Sequence, residues 1–177
     1  MGILLNILIF IAAIIGILLI VALVIKKEFT VVGEVTINKP LRAVFDFVKI
    51  IDNSRKYNIW WMIDPNQKLT YTGTDGTKGF IAAWDSEVKE AGKGEQEITN
   101  IIDCSLIDSE VRFEKPFKNV GQILMTTTAE TDSSTHVKWE FIGNNKFPMT
   151  LMNLIIPGML NKQMNQSLSN LKNLLEN

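Results

Sequence analysis

The chain is 177 residues long, 46% hydrophobic and 21% charged, with 18 basic and 19 acidic side chains and a formal net charge of −1. That balance excludes broad nucleic-acid binding driven by phosphate charge. A single cysteine, Cys104, excludes an internal disulfide framework, and a single histidine, His136, leaves too few nitrogen and sulfur ligands for a zinc site.

The averages hide a division. From Ile3 to Ile25 only Asn6 and Gly16 are not apolar, and every charged residue lies at or beyond Lys26. A helix over these 23 residues is about 34 Å long, enough for a hydrocarbon core of roughly 30 Å. Eighteen of the 23 are Ile, Leu, Val or Phe. At about −0.3 kcal/mol each, insertion is favourable by on the order of 5 kcal/mol at most. A cleaved signal peptide fits poorly. No basic region precedes Ile3, the apolar run is too long, and Val24-Ile25-Lys26-Lys27 is no small-residue cleavage site. A buried core helix fits poorly too, because a helix apolar on every face needs complete burial. Residues 1–27 are therefore expected to be a membrane anchor, with the bilayer as partner of Ile3 to Ile25. Lys26 and Lys27 just after the span put the remaining domain, 28–177, in the cytoplasm by the positive-inside rule.

The second part opens with a strand, Phe29 to Ile37, with Val31, Gly33, Val35 and Ile37 on one face. Asn38-Lys39-Pro40 then starts a helix whose Leu41, Val44, Phe45 and Val48 form a stripe at i, i+3, i+4, i+7. A second short helix is expected from Asp52, as cap, to about Asn58, and Asp64-Pro65 then stops regular structure. Six strands come next at close spacing: Lys68–Gly73, Gly79–Glu87, Gly94–Asp103, Ser105–Lys115, Val120–Glu130 and Thr135–Gly143. Short turns between them imply antiparallel pairing. Gly73, Gly76 and Gly79 are read as hairpin glycines, since no helix and no Lys-Ser/Thr pair succeeds them as a phosphate loop requires. After an apolar stretch from Met149 to Ile156 and a break at Pro157-Gly158, a long helix carries the stripe Leu160, Met164, Leu168, Leu171 and Leu175. The expected fold is α+β: a curved antiparallel sheet of about seven strands, one face covered by the last helix, preceded by one transmembrane helix. A space between sheet and helix is a natural small-molecule cavity.

The residues Val35-Thr36-Ile37-Asn38-Lys39-Pro40, Val44-Phe45-Asp46-Phe47-Val48 and Trp60-Trp61 leading to Asp64-Pro65 have a recognisable order. So do Gly76, Gly79 and Trp84, Gly92 and Gly94, Phe113-Glu114-Lys115-Pro116, Thr135 to Trp139, Asn145 to Met149, and Leu168, Leu171-Lys172. Together they resemble the START-like (Bet v 1-like) helix-grip superfamily, in particular the polyketide cyclase/dehydrase group of SRPBCC proteins. The spacing of these elements carries the resemblance; no single one is specific. The resemblance implies a hydrophobic cavity for lipids or other apolar ligands, and an anchor before such a domain is similar to bacterial members, which implies the inner membrane. It implies no single chemistry.

No catalytic constellation, cofactor motif or metal set is read. His136 stands at a strand start beside a turn, Cys104 has no basic neighbour to activate it, and Asp46 falls on the wet side of its helix. Each of the four tryptophans alone is better explained by core packing. Read as a set, Trp60, Trp61, Trp84 and Trp139 with Phe141 line a cavity, and Met125, Met152 and Met164 form adaptable walls. Met149 and Met159 are further candidates. Three functions are weighed: a membrane-tethered module binding a hydrophobic small molecule or lipid; a protein–protein or stress-response module with an exposed apolar patch; and a cyclase- or hydrolase-type enzyme using Asp64, Asp85 or Tyr71.

Overall fold

Alternation of buried and wet positions shapes β1 (Glu28–Ile37), where Val31, Gly33 and Ile37 are buried while Glu28, Thr30 and Glu34 face solvent. The structure is a computed structural model that describes residues 2–177. Before β1 stands α1 (Gly2–Val24), long and apolar enough to cross a membrane by length and composition, with Ala22 its buried residue. After β1 comes α2 (Leu41–Val48), which buries Val44, Phe45 and Val48 as its stripe requires.

The expected short helix is instead a 3₁₀ helix, Ile51–Lys56, followed by a four-residue helix α3 (Ile59–Met62). Asp52 does not cap it. The carboxylate of Asp75, in the turn between the next two strands, accepts the N–H groups of Ile51 and Asp52 at 2.8 and 3.0 Å. The orphan donors of a helix start are thus satisfied from a distant turn.

The six remaining strands are β2 (Lys68–Thr72), β3 (Ile81–Asp85), β4 (Lys93–Ile102), β5 (Leu106–Lys115), β6 (Asn119–Thr131) and β7 (Ser134–Asn144). They form one antiparallel sheet in the order β1-β7-β6-β5-β4-β3-β2. β3 is shorter than its apolar run because Gly79 takes a φ of +86° and Ser86 turns its N–H to the Gly92 carbonyl. Register shifts in β4 at Ile98/Asn100 and in β6 at Ala129/Thr131 bend the sheet.

A second 3₁₀ helix, Met149–Leu154, leads into α4 (Ile156–Glu176), with Pro157 in its first turn, where the missing N–H costs nothing. α4 lies across the concave face, and its Met164, Leu168 and Leu171 meet Ile37, Val44, Phe45 and Val137 in the main core. Contact is closest at Gly33, where a Cβ would stand 2.9 Å from Leu168 Cδ1. A smaller core holds Ile51, Trp61, Phe80, Ala82 and Ile98 under the β2 edge.

Candidate functional site

Between the concave face, α3 and the first half of α4 lies a cavity of about 230 Å³. Its walls are aromatic because α3 presents two tryptophans in succession. Asn58 accepts the N–H of Trp60 at 3.1 Å, and Ile59 donates its N–H to Ser167 Oγ on α4 at 3.1 Å. The short helix is thus fixed at its start and tied to its neighbour. Trp60 meets Trp139 edge to face, with centroids 5.9 Å apart and planes at 87°. Trp61 meets Trp84 at 5.7 Å, and Trp84 in turn meets Phe113 at 6.0 Å and 78°.

Trp84 is held by its Nε1–H, which donates to the Ala91 carbonyl at 3.0 Å. Its ring lies over Gly94, where a Cβ would be 2.8 Å from Cζ2. Phe141 and Ile123 from the sheet and Leu160 and Met164 from α4 complete the apolar wall. The ionisable side chains on the lining are Glu90 and Lys115, both exposed at the rim.

Two polar groups stand out. Trp139 Nε1 and Ser109 Oγ are buried, with the residues 4% and 1% exposed, and neither has a hydrogen-bond partner among the described residues. Both residues border a smaller chamber of about 30 Å³ that shares Asn58, Gln96, Ile123 and Trp139 with the main cavity. An unpaired buried donor costs about 1–3 kcal/mol. The inner end of the site therefore favours a guest atom that accepts a hydrogen bond. Tyr57 also borders this chamber, and burial pushes its phenol up from the ordinary value.

Of the residues expected around a cavity, Trp60, Trp61, Trp84, Trp139, Phe141 and Met164 come together on this lining. Met125 borders the smaller chamber instead. Met152 stands apart: it is exposed on the second 3₁₀ helix, because Met149–Leu154 coils outside the sheet rather than beneath α4. Met159 is exposed as well. Phe113, Ser109 and Gln96 join the site without having been expected there. Alternation along β5, with Ile107, Ser109 and Val111 buried, carries the signal for the first two.

The candidate reactive groups lie elsewhere. Asp64 accepts from the Ser86 hydroxyl and the Asn66 N–H. Asp85 pairs with Lys93 at 3.5 Å. Tyr71 stacks on Phe80 and donates to Asp52; burial first and that carboxylate second push its phenol up to about 12. His136 stands between Glu34 and Glu130, 3.8 and 3.6 Å away, and Cys104 occupies the β4–β5 turn with a φ of +53°. Among the described residues no cluster of three His, Cys, Asp or Glu side chains could hold a metal.

No protein-family model and no curated protein sequence matches this chain. Solved structures do. Truncated norcoclaurine synthase from Thalictrum flavum superposes with a TM-score of 0.64 at 10% identity, covering 84% of this chain and 93% of that one. Another structure of that synthase, with dopamine and hydroxybenzaldehyde bound, gives 0.62 at 10% identity over 84% and 86%. Ara h 8.0201 gives 0.58 at 13% identity over 84% and 97%. A protein from Mesorhizobium loti gives 0.60 at 17% identity over 83% and 96%. These likenesses establish the fold alone: a seven-stranded antiparallel sheet gripping a long C-terminal helix, a Bet v 1-like helix-grip fold.

Proposed function

We propose that this chain is a membrane-tethered domain that binds a hydrophobic small molecule or lipid between its sheet and α4. The observation that carries the reading is the aromatic cavity with an unpaired indole N–H at its inner end. An apolar cavity of about 150 Å³ holds benzene. The 230 Å³ space therefore suits one or two fused rings or a short acyl segment. Trp139 favours a ligand with one acceptor (carbonyl, ether or hydroxyl oxygen) at its buried end, because a guest lacking it leaves the N–H unpaired. A protein of the same fold that holds dopamine and hydroxybenzaldehyde supports a ligand of this size.

The tether reading is supported by the length and composition of α1. It is supported further by contacts a cleaved leader would not need: Thr150 Oγ1 donates to the Ala22 carbonyl at 2.6 Å, and Asn153 Nδ2 donates to those of Lys26 and Lys27. Lys26 and Lys27 favour a cytoplasmic domain, which for the bacterial arrangement means the inner membrane. Tethering keeps the site near membrane-dissolved ligands and raises their effective concentration.

The test is tryptophan fluorescence and calorimetry on the full chain in nanodiscs, titrated with 2-naphthol and with 2-methylnaphthalene. Saturable quenching with preference for the naphthol is expected. No binding of either at millimolar concentration, and no ligand carried through purification in native mass spectrometry, would overturn the reading.

A further inference from the structure

The end of the domain that touches α1 is also the end where Lys115 and Pro116 border the cavity. Thr150, 1% exposed, bonds to the carbonyl of Ala22, three residues or about 4.5 Å before the apolar run stops at Ile25. The second 3₁₀ helix therefore lies beside the last turn of the span. The 20 residues Gly2 to Val21 that precede this contact are about 30 Å long, the thickness of the hydrocarbon core. From here a run of asparagines leads to the cavity rim. Asn153 holds the Lys26 and Lys27 carbonyls, its Oδ1 accepts from Asn145 at 2.7 Å, and Asn145 Oδ1 accepts from Asn119 at 3.0 Å. Asn119 closes the β5–β6 turn, whose Lys115 and Pro116 form the rim.

The surface of this end is apolar where a water-facing loop is normally polar. Phe117 is 68% exposed on the β5–β6 turn, Leu154 68%, Ile155 65% and Met159 55%. Lysines and carboxylates are mixed around it: Lys26, Lys27, Lys115 and Lys118 stand with Glu28, Glu90 and Glu114. Apolar side chains bordered by lysines and by carboxylates suit the headgroup layer of a bilayer through their apolar area rather than through net charge.

We propose that this end is seated in the headgroup layer by Phe117, Leu154, Ile155 and Met159, so that the cavity mouth between Pro116 and Leu160 opens onto lipid and a ligand passes from bilayer to site without crossing water. The proposal rests on the tether reading. α1 alone would leave the domain free above the membrane; the seating fixes its orientation.

The experiment uses the full chain with Cys104→Ser in nanodiscs of phosphatidylethanolamine and phosphatidylglycerol. Nitroxides are attached singly at Phe117→Cys, Leu154→Cys, Ile14→Cys in the span and Ser133→Cys at the opposite end of the sheet. Relaxation by lipid-soluble oxygen is compared with relaxation by a water-soluble nickel chelate. The proposal expects an oxygen-to-nickel ratio at 117 and 154 about tenfold above that at 133. A lipid-like ratio at 14 with aqueous ratios at both 117 and 154 overturns the seating and leaves the tether intact. An aqueous ratio at 14 overturns both. Labels at 117 and 154 shielded from both reagents, with dipolar broadening between copies, overturn it in favour of a second copy. Because these positions are exposed, labelling does not disturb packing, and circular dichroism of each variant checks this.

Discussion

Trp60 stands edge-on to Trp139 with centroids 5.9 Å apart and planes at 87°, so the wall tryptophan whose buried N–H lacks a partner among the described residues is also braced by a second indole. Trp60 supplies the brace and Trp139 the donor. Trp139→Phe keeps most of the ring area and removes the N–H. Stability should change by less than about 1 kcal/mol, because the lost group was already unpaired. Affinity for 2-naphthol should fall about three- to tenfold while that for 2-methylnaphthalene is unchanged, by fluorescence titration. Equal losses for both ligands would show that Trp139 acts by shape alone.

Gly94 is small because a Cβ there would stand 2.5 Å from the Arg112 carbonyl oxygen on the paired strand and 2.8 Å from Trp84. Gly94→Ala puts a methyl into the indole, which must shift against Phe113 and Trp61. Overpacking of this kind costs about 1–3 kcal/mol, and the displaced ring should narrow the cavity. Chemical denaturation and ligand titration measure the two effects. Unchanged binding would mean that the Trp84 wall is not part of the site.

Two surface carboxylates contribute modestly to acid sensitivity. Arg42 holds Asp103 through two hydrogen bonds, at 2.8 and 2.7 Å, and lowers its pKa; the Asn38 N–H, 2.7 Å from Glu176, lowers that one. A depressed folded pKa means that the unfolded chain binds more protons in the window between the two values. Stability from this source is complete above about pH 5 and falls as pH drops through the folded values. Glu176→Gln should flatten the acid limb of the stability–pH curve and leave neutral pH little changed. Tyr71 works on the other side: its pKa, raised to about 12, gives stability that is lost as pH rises from about 10.

Asn153 ties the second 3₁₀ helix to the start of the domain through two hydrogen bonds, to the Lys26 and Lys27 carbonyls, and accepts a third from Asn145. Asn153→Ala should loosen residues 145–155 without unfolding the core, and hydrogen exchange of those amides should accelerate about tenfold. An unchanged exchange pattern would show that Thr150 alone secures the segment.

Period-2 and period-3.6 patterns make the sheet and α4 legible, since burial on one face enforces them at Val31, Val137 and Leu168 alike. The wall tryptophans are legible for a different reason, as large amphipathic residues in excess of what a small core needs. The 3₁₀ turns are not, because their caps come from afar: Asp75 sits 24 residues beyond Ile51. Met152 is hard to place because an apolar run without a period does not declare whether it faces a core, a cavity or something outside the protein. Ser109 is hidden because a serine on a buried strand face looks like any small residue until its missing partner is seen.

The close approach at Gly33 has a dynamic consequence. Ser167 Oγ accepts the Ile59 N–H, Asn170 Nδ2 donates to the Tyr57 carbonyl, Lys172 Nζ to that of Thr36, and Glu176 receives the Asn38 amide, so the C-terminal half of α4 is bolted down four times beyond its seat on β1. The opening turn, from Pro157 to Leu160, has no such side-chain bolts among the described residues; the first is Asn161, which donates to the Val32 carbonyl at 2.9 Å, and Leu160 borders the cavity. The first turn is therefore the part of α4 expected to fray most readily, a hinged flap rather than a lifting roof, and its hydrogen exchange should follow the helix-forming tendency of Gly158 and Met159 more than the strength of the core.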